Sequence, residues 1–148
     1  MGITTPSLYA AFGDKKRLFL EAAHRYAGDP QAMDQAIDDA PTAFDAARDI
    51  LTAAAQAFTG DTTPKGCLLA SATASGSADA AEVQRAVADI RKAIDARLRF
   101  RIERDVMARI LPCGTDAAAL SGLVMAVIQG MSVLARDGVA RITAGHRR

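Results

Sequence analysis

Aromatic side chains are scarce: the chain has no tryptophan, and phenylalanine and tyrosine together make up 5% of its 148 residues. A core with so few rings has to be built from aliphatic side chains. Half of the residues are hydrophobic, alanine is abundant and β-branched runs are few, which favours helices and supports no strand. Cysteine is equally sparse. Cys67 and Cys113 lie far apart, outside any CxxC or Cys/His spacing, so neither a disulfide framework nor a zinc site is expected. The two histidines, His24 and His146, have no serine, cysteine or carboxylate at a spacing that argues for catalysis, and no glycine-rich phosphate loop follows a strand. No enzyme activity, cofactor or metal is therefore expected. Charge of one sign is lacking as well: the net charge is +1, so any contact with nucleic acid must come from local patches. The N-terminus has no basic region followed by an apolar stretch, and with unpaired cysteines this suits a cytoplasmic protein.

The most informative stretch is residues 2–15, Gly-Ile-Thr-Thr-Pro-Ser-Leu-Tyr-Ala-Ala-Phe-Gly-Asp-Lys. Thr5 is a good N-cap and Pro6 suits the first helical position, where a missing N–H is harmless, so a short helix is predicted over 6–12. Gly13 supplies a left-handed stop, and Asp14 caps a second helix that opens with Lys15, Lys16 and Arg17. Three cations at the positive end of a helix dipole are mildly unfavourable, and a phosphate placed there would resolve the conflict.

This segment resembles the recognition-helix end of the TetR/AcrR-type bacterial transcription regulators: a Gly turn (Gly2), a Thr/Ser-rich helix start (Ser7), Leu8-Tyr9, the aromatic Phe12 and a lysine, Lys15, opening the next helix. The resemblance implies an all-α fold in which a helix-turn-helix head precedes a ligand-binding and dimerisation bundle. It places Tyr9 and Lys15 on the DNA backbone, and Thr4, Thr5, Pro6 and Ala10, with Ser7 at the helix start, near the bases, since the N-terminal part of the second helix of such a motif meets base edges. The family has two further helices before this turn, so the first two helices of the DNA-binding domain are expected to be missing. They would cover Leu8, Phe12, Leu18 and Phe19.

Further along, Leu18, Phe19, Ala22, Ala23 and Tyr26 share a face of the second helix, which Gly28-Asp29-Pro30 closes. The head is assigned to 1–28 and the C-terminal domain to 29–148. An acidic connector follows, with a short helix over 30–37. Thr42 and Asp45 resemble a capping box, and Phe44, Ala47, Leu51, Ala55 and Phe58 then recur at helical spacing until Gly60. A loop of turn residues leads to a nearly uncharged helix over 67–75, and the Gly66-Cys-Leu-Leu69 string there is a second, weaker resemblance to TetR-type chains.

Asp79 and Glu82 cap a long helix in which Val83, Val87, Ile90, Ile94, Leu98, Ile102, Val106 and Ile110 step by three or four up to Pro112. At 1.5 Å per residue it spans roughly 45 Å, enough for a central spine. Its other face carries arginines interrupted by acids, as a solvated face with local ion pairs does. Thr115 is the expected cap of the last strong helix, which has no charge over 117–135. Its length admits a bilayer span, but Ser121, Gln129, Ser132 and the lack of aromatic anchors argue against a membrane. Gly122, Ala126 and Gly130 form a small-residue seam for a second copy, with Leu120, Val124, Val127, Met131 and Leu134 expected to pack within the subunit. In the TetR-type family a further full helix completes the dimer interface, and part of it is expected to be missing here.

Two functions follow from these readings. One is a repressor that binds double-stranded operator DNA as a homodimer, provided the upstream helices are present, and is released by a small apolar ligand held between Phe58, Cys67, Phe100, Met125 and Gln129. The other is a regulator body that binds ligand or pairs with other chains without specific DNA binding. An in-frame upstream sequence encoding two amphipathic helices favours the first.

Overall fold

The computed structural model describes residues 4–61, 63–71 and 78–139, and of Thr5, Tyr9, Ala78 and Asp79 the backbone alone. Gly2, Ser75 and His146 lie outside these residues. The described residues form seven α-helices and no strand: α1 (Thr5–Phe12), α2 (Lys15–Ala27), α3 (Pro30–Asp39), α4 (Ala43–Thr59), α5 (Leu68–Ser71), α6 (Ala78–Met107) and α7 (Ala117–Arg136).

Most helix starts follow from local chemistry. Asp14 accepts from the Arg17 amide at 2.8 Å, Asp29 from Gln31 at 2.9 Å, and Thr42 from Asp45 at 3.1 Å while its hydroxyl donates back to the Asp45 carboxylate at 2.7 Å. Gly13 takes φ +85° between α1 and α2, a conformation costly for any residue with a Cβ. Two caps differ from expectation. Thr5 is already inside α1, and the residue before it is Thr4, whose carbonyl accepts from Leu8 at 3.1 Å. At α7 the cap is Asp116, not Thr115, because its carboxylate reaches the Ala119 amide at 2.9 Å.

The spine also stops short of Pro112. α6 ends at Met107, and the Ile110 and Leu111 amides both turn back onto the Asp105 carbonyl, at 2.9 and 3.1 Å, with Arg109 in the left-handed region at φ +60°. Ile110 is thereby carried out of the helix and exposed.

α2, α3, α4 and α7 all pack on α6, and α4 also packs on α7. Two apolar clusters follow along the spine. One joins Ala23, Phe58, Cys67, Leu69, Val87 and Ala135; the other joins Ile37, Ala43, Ala46, Leu98, Ile102 and Ala117. α4 presents a different face to the core than its predicted stripe. Ala43, Ala46 and Phe58 are buried, whereas Phe44 is 70% exposed.

α7 is rotated relative to the expectation too. Its inward line is Ala117, Ser121, Ser132 and Ala135, and the two serines are fully buried. Leu120, Val127 and Leu134 face outward, with Leu123 and Val133. Two small hydroxyls and two alanines let α7 approach its neighbours closely, which leaves the larger aliphatic side chains on the open side. The helix is long and apolar enough to cross a bilayer, and only 17% of its most apolar window is buried.

Candidate functional site

At the N-terminal end of the fold, Thr4, Pro6, Ser7 and Ala10 are exposed along α1, while the side chains of Thr5 and Tyr9 lie outside the described residues. Phe12 is 38% exposed, and Leu8 and Leu18 are half-buried, so this apolar face is not fully covered by the described residues. The three cations that open α2 are not equivalent. Lys16 forms a 2.7 Å ion pair with Glu82 of α6, which holds the Glu82 carboxyl below the usual carboxylate range. Lys15 and Arg17 are exposed and make no ion pair among the described residues. The head therefore has one cation anchored to the spine and two available at a helix N-terminus.

The arginines of α6 are more than a solvated face. Arg97, Arg101 and Arg104 recur on the line that meets the acidic helix α3. Arg97 pairs with Asp34 and donates to the Pro30 carbonyl at 3.0 Å, and Arg104 pairs with Asp38 at 2.9 Å. The acidic connector thus lies on a basic row of the spine. This docking was not foreseen, although the sequence held a signal for it: five aspartates in one short segment and arginines at i, i+4 and i+7 in another.

Arg101 differs from its neighbours in being sealed from water. It is 2% exposed, and it forms an ion pair at 3.0 Å with Asp105, also 2% exposed. Arg101 Nη1 donates to the carbonyls of Ile37 (2.6 Å) and Asp38 (3.3 Å), in the last turn of α3. The other carboxylate oxygen of Asp105 accepts from the Ala43 amide at 2.6 Å, at the first residue of α4. The pair satisfies unpaired backbone groups at one helix end and the next helix start, so it fixes the angle between α3 and α4.

Beside this junction an open groove of about 800 Å³ runs between α4, the end of α6 and α7. Its walls are Ala43, Phe44, Ala47, Leu51 and Ala55 of α4, Ile102 of α6, Leu111, and Leu120, Leu123 and Val124 of α7. Arg48, Thr52 and Gln56 supply the polar edge. Arg48 is held by Asp45 and Asp49, and the Thr52 hydroxyl donates to the Arg48 carbonyl; Gln56 has no hydrogen-bond partner among the described residues.

The five residues expected around a ligand are not brought together. Phe58 and Cys67 are buried in the first apolar cluster, Phe100 is 60% exposed in a shallow recess against α3, and Met125 and Gln129 are half-buried on α7 without lining the groove. Helical spacing located α4 and α7 correctly but could not tell which side of α4 faces the core, because that helix is apolar on two sides. By contrast, Gly122, Ala126 and Gly130 lie exposed on the outer face of α7, and a side chain added at either glycine would meet open space.

The Gly66-Cys-Leu-Leu69 string acquires a reason. Gly66 takes φ +91° and lies against α7, the Cys67 amide donates to the Ser132 hydroxyl at 2.8 Å, and the Arg136 guanidinium bonds the Cys67 carbonyl at 3.0 Å and the Ser71 hydroxyl. Ala23 of α2 packs with Cys67 and Leu69 in the first apolar cluster, so α2 is joined to the same corner, where partial burial pushes the Tyr26 hydroxyl up to about 12.

No family model matches the chain. Among curated proteins it is 29% identical over 143 residues to the HTH-type transcriptional repressor ComR of Escherichia coli (strain K12), covering 94% of this chain and 67% of that protein. Among solved structures it superposes with a TM-score of 0.81 and 34% identity on a cysteine mutant of the TetR family transcriptional regulator CifR complexed with 26-bp double-strand operator DNA, covering 93% of this chain and 72% of that one. A chain from Rhodococcus sp. RHA1 described as a TetR transcriptional regulator gives a TM-score of 0.66 at 34% identity, with 93% and 74% covered. At 34% identity and a TM-score of 0.81 over most of both chains, the fold is shared with an operator-bound relative, and the chain belongs to the TetR family of transcriptional regulators.

Proposed function

We propose that the chain serves a ligand-responsive repressor: residues 1–28 contribute the DNA-contacting head, residues 29–148 the ligand-binding and dimerisation body, and a small apolar molecule releases the operator. The observation that carries the DNA reading is the pair of exposed cations, Lys15 and Arg17, which form no ion pair among the described residues, at the start of α2, directly after an α1 on which Pro6, Ser7 and Ala10 are open to solvent. Backbone phosphate is the ligand that suits a positive helix end with free cations, and Thr4, Thr5, Pro6, Ser7 and Ala10 then face the groove, with Tyr9 beside the phosphates. Lys15→Ala should weaken operator and random DNA alike and lower the salt slope by about one unit. Titration at several salt concentrations reads both. An unchanged affinity and slope would remove Lys15 from the interface and favour a body that does not bind DNA specifically.

The groove between α4, α6 and α7 is the proposed ligand site, in place of the space around Phe58, Cys67, Phe100, Met125 and Gln129. Apolar walls edged by the Gln56 carboxamide, which has no partner among the described residues, suit a small hydrophobic molecule carrying a single hydrogen-bonding group.

The outer face of α7 is the proposed dimer surface. Leu120, Leu123, Val127, Val133 and Leu134 are exposed around the Gly122, Ala126 and Gly130 seam. A contiguous apolar face of this kind marks an association surface, and a two-fold axis closes it on itself. We read it as protein-facing, not lipid-facing, because α7 packs its opposite side on α4 and α6 and buries two serines there. Ala126→Leu should separate the helices and weaken association by about 1–3 kcal/mol per site. Sedimentation at micromolar concentration tests this: one monomeric species in both chains would sink the dimer.

A further inference from the structure

The buried Arg101–Asp105 pair touches the groove wall and the α3 arm at once. Ala43 lines the groove and donates its amide to Asp105 at 2.6 Å; Leu111 lines it and donates to the Asp105 carbonyl at 3.1 Å; Ile102, next to Arg101 in the chain, lines it as well. On the other side Arg101 holds the Ile37 and Asp38 carbonyls. We propose that Arg101 and Asp105 are positioning residues that form the joint through which occupancy of the groove reaches the DNA-binding head, a role that rests on the reading of the groove as a ligand site.

Arg97–Asp34 and Arg104–Asp38 are part-exposed, so water can replace a lost contact. Arg101 and Asp105 have side chains 3% exposed, and a hydrogen bond broken there leaves a buried charged group unsatisfied. A molecule wedged against Ala43 and Leu111 displaces two donors that end on Asp105. The buried pair moves as a unit and carries the end of α3 with it. Only Gly28 and Asp29 separate α3 from α2, so a shift of α3 redirects α2 and α1. The Lys16–Glu82 bridge between head and spine is half-exposed or more on the Glu82 side and offers little resistance, so α2 turns about its packed residues Phe19, Ala23 and Ala27.

The test uses the full chain, with 1-anilinonaphthalene-8-sulfonate as the groove probe and hydrogen exchange resolved by helix as the readout. In the parent chain the probe should slow exchange in α4 and α7 and change it in α3 by about threefold or more. In the Arg101→Met/Asp105→Leu double variant, which leaves no unpaired buried charge, α4 and α7 should respond as before and α3 should not. A merely structural role would raise α3 exchange in both states and keep the probe-dependent difference. Equal α3 responses in parent and variant, or no α3 response in the parent, overturn the joint and leave the groove standing. No response of α4 and α7 in either chain overturns the groove reading and the joint together. If the double variant does not fold, Arg101→Lys, which keeps the charge but loses the planar fork that reaches Asp105 through Nε and the α3 carbonyls through Nη1, is read by the same outcomes.

Discussion

Arg101→Met should lower the stability of the chain by about 3–5 kcal/mol, because it leaves Asp105 charged and buried and strips the Ile37 carbonyl near the end of α3 of its donor. Few single changes in this fold remove as much. The loss should not be additive with that of Asp105→Leu. With both replaced, neither charge of the pair remains, and only the Ala43 amide and the Ile37 carbonyl lose partners. The double variant should therefore be more stable than Arg101→Met alone, by about 1–3 kcal/mol. Urea unfolding followed by far-UV circular dichroism measures the parent and the three variants, provided the m-values agree. A loss below about 1 kcal/mol for Arg101→Met would mean that water reaches the pair and that it is no more than a surface bridge.

The buried pair also shows where sequence reasoning reaches and where it stops. The starts of α2 and α4 and the Gly13 turn were legible, because Asp14 and Thr42 accept from amides three residues on, Asp45 accepts from the Thr42 hydroxyl, and none of them needs a tertiary partner. The length of α6 and the apolar character of α7 were legible from periodicity and from the absence of charge. The end of α6 was not. Asp105 draws back the Ile110 and Leu111 amides, and Arg109 adopts a left-handed conformation without the glycine that would have announced it.

Facing was harder to read than helicity. α4 carries Ala43, Ala46 and Phe58 toward the core and Ala47, Leu51 and Ala55 toward the groove, so one apolar stripe could not be chosen over the other from spacing. Ser121 and Ser132 read as polar interruptions of α7, yet their small size puts them at its tightest packing and turns the leucines outward. The row Arg97, Arg101 and Arg104 was visible as charge. Its partner, α3, lies more than sixty residues away in the chain, and no local rule joins the two.

Gly66→Ala is the second change with a large expected cost, and its reason is long-range for the same cause. A Cβ at Gly66 would stand 2.6 Å from Arg136 Nε, 2.9 Å from Arg136 Cγ and 3.0 Å from the Ser132 carbonyl oxygen, on a backbone held at φ +91°. The arginine cannot simply swing away, since its guanidinium is tied to the Cys67 carbonyl and the Ser71 hydroxyl. Strained backbone costs about 1–3 kcal/mol and forced overpacking a similar amount, so a loss of about 3 kcal/mol is expected, equivalent to roughly 6–12 °C in Tm. Gly28→Ala separates the two contributions: Gly28 has φ +78° but nothing within 4 Å of an added Cβ, so it reports the backbone share alone. Adding Arg136→Ala to Gly66→Ala should recover part of the loss, while the Ser132 contact and the backbone strain persist. Thermal unfolding of the four chains decides the matter. If Gly66→Ala costs no more than Gly28→Ala, the loop before α5 does not press on α7, and the glycine of the Gly-Cys-Leu-Leu string is there for its turn alone.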